Sequence, residues 1–308
     1  MISYRRLKPT QFEEWIDHCA NVFASNENEI EHFRDYFRRH FLNDPDRDIS
    51  TIFVALDDDK IVGSVRLFKR KIYLDGNIID AGGIGEVGVN PNYQKKGIAT
   101  NLLNLAFEDM HNLNINLSFL FASRHSFYNR LGYELVSYNY YKTKVIKSEQ
   151  NVKYKLATML DFETLTDLYN NYASKLNGPI YRNLFYFENW VKAELNDIYL
   201  ILNEDDETVG YISGYTRDDS LIIKDFAIKD GYNFIDITNH FASIYFKDYN
   251  YVSYPSMHYT PSTYEGTREI PHLMIKVLSP LSDKIQNTND LKDYLLNSRY
   301  GYYETDNF

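Results

Sequence analysis

The stretch Gln94-Lys95-Lys96-Gly97-Ile98-Ala99 follows the apolar run Ile84-Gly85-Glu86-Val87-Gly88-Val89 and the turn Asn90-Pro91-Asn92-Tyr93, and it opens a helical pattern from Ile98 to Met110. A strand, a short turn and a helix start in that order restrict the local fold to a unit with an anion cradle at its bend. The first amides of a helix lack intrahelical partners and carry about half a positive charge from the dipole, so a pyrophosphate settles there. Gly97 lets the backbone approach closely, Ala99 keeps the helix near the ligand, and Lys95 and Lys96 add charge. The pattern predicts a nucleotide-like cofactor.

Around the cradle the apolar period alternates between helix and strand. Thr10 to Val22 and Glu29 to Phe41 carry helical spacing, and Thr51 to Leu56 and Lys60 to Phe68 read as strands joined at Asp57-Asp58-Asp59. A short strand pair is expected about Asp75-Gly76-Asn77, and Gly82-Gly83-Ile84-Gly85 reads as a bend that frees the entrance of the cradle strand. Leu117 to Phe121 then reads as a buried strand, Ser126 to Leu131 as a short helix ended by Gly132, and Tyr133 to Lys144 as strands. This order predicts an α+β layer arrangement, mostly antiparallel, with one parallel crossover.

The polar segment Lys147-Ser148-Glu149-Gln150-Asn151 reads as a boundary, and beyond it the same order begins again. Helices are expected over Asp161 to Ser174, near Arg182 to Leu195 and near Phe234 to Phe246, with strands between and after them. The second copy of the cradle reads Ile228-Lys229-Asp230-Gly231-Tyr232-Asn233, with acid where the first has base. The expectation is therefore a duplicated fold with one cofactor site: residues 1–146, residues 152–278, and a short tail at 279–308.

Composition limits the partners. The chain has 308 residues, 44% of them hydrophobic, enough for two ordinary cores, and its formal charge of −10 argues against nucleic acid. Neither a membrane span nor a signal peptide is expected, and the single Cys19 sits in a helical apolar pattern suited to core packing; a cytoplasmic location is expected.

Two motifs carry a family resemblance. Val87-Gly88-Val89-Asn90-Pro91-Asn92-Tyr93-Gln94-Lys95-Lys96-Gly97-Ile98-Ala99, followed further on by Phe127-Tyr128-Asn129-Arg130-Leu131-Gly132-Tyr133-Glu134, resembles the GCN5-related N-acetyltransferase (GNAT) superfamily. The tandem order and the junction Pro271-His272-Leu273-Met274-Ile275-Lys276-Val277-Leu278 are similar to the Eis-type bacterial acetyltransferases. Only the 30 residues 279–308 follow Leu278, too few for the sterol-carrier-like third domain of that type. The resemblance implies two tandem GNAT-like domains, each a twisted mixed sheet flanked by helices. It also implies acetyl-CoA as co-substrate without a metal, and transfer to a primary amine of a polyamine, an aminoglycoside-like molecule or a lysine. A non-catalytic acetyl-CoA sensor is the alternative, and a homo-oligomer is compatible with either.

The resemblance assigns roles by position. It lays Val87, Gly88 and Val89 along the cofactor, puts the pyrophosphate on Gln94, Lys95, Lys96, Gly97, Ile98 and Ala99, and adds Asn129. Tyr128 matches the acid that protonates the thiolate, which a phenol with an ordinary pKa of about 10 can do at neutral pH. Three groups compete as base: Glu86, the α-carboxylate of Phe308, and His125. The aromatic residues Tyr181, Phe185, Tyr186, Phe187 and Trp190 are expected to wall the acceptor pocket. The 302–307 end reads as a polar, disordered tail.

Asp44, Asp46 and Asp48 have the opening spacing of a calcium loop, but Ile49 and Ala55 stand where its glycine and its bidentate acid belong, so a solvated loop is expected. His32 and His40 lack a third ligand for zinc.

Overall fold

The computed structural model describes residues 1–195 and 197–307. In the first half the chain runs β1 (Ser3–Arg6), α1 (Phe12–Phe23), α2 (Ile30–Asn43), β2 (Ile52–Asp57), β3 (Lys60–Leu74), β4 (Asn77–Val89), α3 (Ile98–Asn112), β5 (Leu117–Phe121), α4 (His125–Asn129), β6 (Glu134–Leu135) and β7 (Tyr138–Lys144). The alternation in β2 sorts its side chains by face. Phe53 and Ala55 join a core with Ile98, Leu102 and Ala106 of α3, whereas Ile52, Val54 and Leu56 join Trp15, Ile16 and Cys19 of α1. The helices thus cover opposite faces of one sheet.

The second half continues with β8 (Lys153–Leu156), α5 (Phe162–Ala173), α6 (Leu184–Tyr186), a π turn at Phe187–Val191, α7 (Lys192–Glu194), β9 (Tyr199–Leu202), β10 (Thr208–Arg217) and β11 (Ser220–Ile228). It ends with α8 (Phe234–Tyr245), β12 (Tyr251–Pro255), β13 (Gly266–Ile270), β14 (Leu273–Val277) and α9 (Thr288–Leu296). Two seven-stranded mixed sheets result, in the orders β1-β2-β3-β4-β5-β14-β6 and β13-β7-β12-β11-β10-β9-β8. This is the α+β, twice-repeated architecture expected from the sequence.

The sheets are not built from consecutive chain. β7, inside segment 1–146, pairs with β12 and β13, while β14, inside 152–278, covers the free edge of β5. Each half lends the other a strand, which ties the two sheets together. Residues 279–307 are not a loose tail either. Leu291 and Leu295 of α9 are buried, as are Tyr300, Tyr302, Tyr303, Thr305 and Asp306, because their rings fill the space between the sheets. Tyr302 packs on Phe121 with centroids 4.6 Å apart.

Two local expectations also change. The chain makes no separate strand pair at 72–79, since β3 and β4 form one long hairpin. Nor does the glycine run bend: Ala81 to Ile84 pair with β3 on one side and β5 on the other. Gly82 serves packing instead, because a Cβ there would lie 2.6 Å from Met110 of α3.

Candidate active site

What opens β4 is a bulge further along. The β3–β4 register passes from Ser64 opposite Gly88 to Arg66 opposite Gly85, so two residues of β4, Glu86 and Val87, face one of β3. Glu86 takes up the extra length at φ 54°, in the left-handed region that a side chain normally avoids. On its other edge β4 pairs with β5 only from Ala81 to Ile84, and the two strands then diverge. Asn90 donates its N–H to Val62 of β3, so by alternation Val87 and Val89 present their backbone groups to the divergent side.

The slot leads to the cradle. Pro91–Tyr93 form a 3₁₀ turn, Lys95 and Gly97 hold φ of 62° and 78°, and among the described residues no side chain caps the start of α3. Lys95, Lys96 and Gly97 are exposed, and a Cβ on Gly97 would meet nothing, so the glycine is required by its φ and not by crowding. Gln94 donates from Nε2 to the Val89 carbonyl at 3.2 Å across the mouth, and the Lys96 ammonium lies over the Tyr93 ring. Ile98 is buried and Ala99 half-buried. These features fit a pantetheine along β4 and a pyrophosphate on the helix start.

Tyr128 lies on α4, buried in the same cluster as Ile84, Ile98 and Tyr133, with Val87 and Val89 at its margin. Burial pushes its phenol up to about 12, with Arg124 opposing, so it is a proton donor at neutral pH. Asn129 beside it is exposed. His125 gives its Nε2 to the Ala122 carbonyl at 3.0 Å. Phe308 lies outside the described residues.

Glu86 points to the other face, under α2. Its Oε1 is 3.1 Å from His40 Nδ1 and 3.2 Å from Arg66 Nη1. Arg66 in turn reaches Asp44 at 2.7 Å, and Arg70 holds the second oxygen of Asp44 at 2.9 Å. Asp44 is therefore no solvated loop residue: burial opposes its charge, yet Arg70 and Arg66 hold it below the usual carboxylate range. Its partners Arg66 and Arg70 sit on β3 among apolar neighbours, where no local pattern marks them. Of the aromatic residues, Trp190 and Tyr186 wall this cluster, Phe187 is core against Tyr211, and Phe185 is exposed. His40, read from the sequence only as half of a failed zinc pair, lies at its centre. Among the described residues no group of three or more His, Cys, Asp or Glu side chains could hold a metal.

The second sheet has the same divergence but it is filled. β11 pairs with β12 only over Ser220 to Ile222. A Cβ on Gly210 of β10 would lie 2.5 Å from the Ala227 carbonyl, so the Phe226 carbonyl faces the divergent side, where the Tyr303 hydroxyl donates to it at 2.9 Å. Asn233 caps the start of α8 by accepting from Ile235 N.

These features define a class. The family model described as acetyltransferase (GNAT) domain matches residues 3–136. In fold it is similar to a probable N-acyltransferase from Enterococcus faecalis (TM-score 0.72, 15% identity, covering 90% of this chain and 73% of that one). It is similar as well to a GCN5-related N-acetyltransferase from Anabaena variabilis (0.70, 15%, 91% and 73%) and to Eis1 from Mycobacterium abscessus (0.63, 14%, 91% and 74%). The architecture is thus the tandem, Eis-like one. A comparison with curated proteins finds no sequence match.

Proposed function

We propose that this chain moves an acetyl group from acetyl-coenzyme A to a primary amine by direct attack in a ternary complex. The observation that carries the reading is the open β4–β5 slot, which joins an uncapped helix start to a buried, protonated phenol. When bound, the thioester supplies an electrophilic carbonyl and a thiolate leaving group. Val87 and Val89 align it through backbone groups, and Gln94 to Ala99 hold the pyrophosphate. Val87 or Val89 offers the amide that stabilises the developing oxyanion. Tyr128 gives its proton to the departing sulfur.

The acceptor reaches the slot from the α2 side, where His40 keeps 10% of its side-chain surface, and the chain's formal charge of −10 favours a cationic amine. A small polyamine, an aminoglycoside-like molecule or an exposed lysine fits that chemistry. Segment 1–146 supplies the cofactor side, and segments 152–278 and 279–308 shape the acceptor side.

The test is thiol release from acetyl-CoA in the presence of a panel of primary amines. The reading expects release that depends on the amine and saturates with it. Tight binding of coenzyme A with no turnover on any amine would leave a sensor module instead.

A further inference from the structure

We propose that His40 accepts the proton of the acceptor amine and that Glu86 positions it. The inference rests on the acetyl-transfer reading and names the base of that reaction.

The bulge decides where the carboxylate goes. By taking φ 54°, Glu86 turns its side chain under α2, leaving it 2% exposed. Strained backbone of this kind is kept where the surroundings hold it in place. Oε1 is committed to Arg66 and His40, while Oε2 is buried without a partner among the described residues. Glu86 is a poor terminal base in this setting. A proton on it would leave the buried guanidiniums of Arg66 and Arg70 to share Asp44 alone.

His40 has what Glu86 lacks. Its Nδ1–H, donated to Glu86, fixes the tautomer with the lone pair on Nε2, and among the described residues nothing hydrogen-bonds that nitrogen. The ring cannot swing away, being stacked on Tyr36 at 5.0 Å and packed against Trp190 at 4.4 Å and Phe68 at 5.6 Å. Its side chain keeps 10% of its surface, enough for a small amine to touch the edge. The charged and titratable groups around it are Glu86 on β4, Arg66 and Arg70 on β3, Tyr36, Arg39 and Asp44 of the α2 region, and Glu194 of α7. Tyr128 belongs to the α3 side of the split sheet and His40 to the α2 side, so acid and base flank the slot.

The protons balance. The acceptor ammonium gives one proton to His40 Nε2, and the neutral nitrogen then bonds to the carbonyl carbon. The C–S bond breaks as Tyr128 protonates the sulfur. The second N–H proton replaces the one Tyr128 gave, and the imidazolium, paired with Glu86, releases its proton to solvent.

The experiment compares His40→Asn and Glu86→Gln with the wild-type chain, reading amine kcat/KM against pH and coenzyme A affinity by calorimetry. His40→Asn keeps an N–H for Glu86 but has no basic nitrogen, so kcat/KM at pH 7 should fall on the order of 10²-fold or more, with the acid limb gone and coenzyme A binding unchanged. Glu86→Gln should lower kcat with little change in the KM for the amine, because the amide no longer holds His40 in place through a carboxylate. A His40→Asn enzyme with the wild-type limb and rate overturns the inference alone, whereas a wild type that acetylates no amine overturns it together with the reading beneath it. If His40→Asn fails to bind coenzyme A, Glu86→Gln decides, and an unchanged kcat overturns the proposal.

Discussion

Tyr128 shows how one side chain acquires its role from its surroundings. A phenol in water is a weak acid, and burial beside Phe127 and Tyr133 makes it weaker still, up to about 12. It therefore keeps its proton at neutral pH, as the acid proposed above must. Replacing it by Phe preserves the ring packing and removes only the proton. We expect Tyr128→Phe to lower kcat on the order of 10²-fold while coenzyme A binding, read by calorimetry, stays as it was; a variant with full rate would remove the assignment. The motif around Tyr128 was legible in the sequence, since a short helix ended by glycine frames it. His40 was not, because its partner Glu86 is 46 residues away in sequence and meets it only through the bulge.

At the scale of elements, the C-terminal segment departs most from its sequence. Its polar and aromatic mixture reads as a disordered tail, yet it inserts between the sheets because its charges find partners there. Asp306 meets Arg182 through both oxygens, each at 3.0 Å, and Asp225 reaches the same guanidinium at 2.9 Å. One positive charge faces two buried carboxylates. Burial raises Asp306 to about 6, Arg182 opposes, and Asp225 adds to the rise. The folded value lies above the ordinary carboxylate value of about 3.9, so the native state takes up a proton before the unfolded chain does. This group therefore adds stability as pH falls through 6 towards 4, and adds none above about 7. In urea unfolding, the stability of wild type relative to Asp306→Asn should rise by about 1 kcal/mol between pH 7.5 and 5, and a difference that stays flat or shrinks would contradict the assignment. Other elements were legible: the cradle, α3 and the β2–β3 hairpin follow from local period and turn residues. The bulge at Glu86 and the exchange of β7 and β14 were not, since long-range pairing sets both.

For the whole molecule, duplication has left two divergent strand pairs and one open slot. In the first sheet the divergence leads to a glycine-bounded helix start. In the second, the Tyr303 hydroxyl occupies the corresponding carbonyl and Asn233 occupies the helix start. The acid-for-base change at Lys229-Asp230 hinted at this in the sequence, but the plug comes from a segment that no local pattern connects to β11. The second sheet then serves the first through Trp190 and Tyr186, which reach across to His40 and Arg70. Calorimetric titration of the full chain with coenzyme A, beside a Gly97→Val variant, tests this directly. The account predicts one site per chain in the wild type and loss of that site in the variant, whose φ of 78° a branched residue cannot hold. Two sites per chain, or a single site untouched by the substitution, would contradict it.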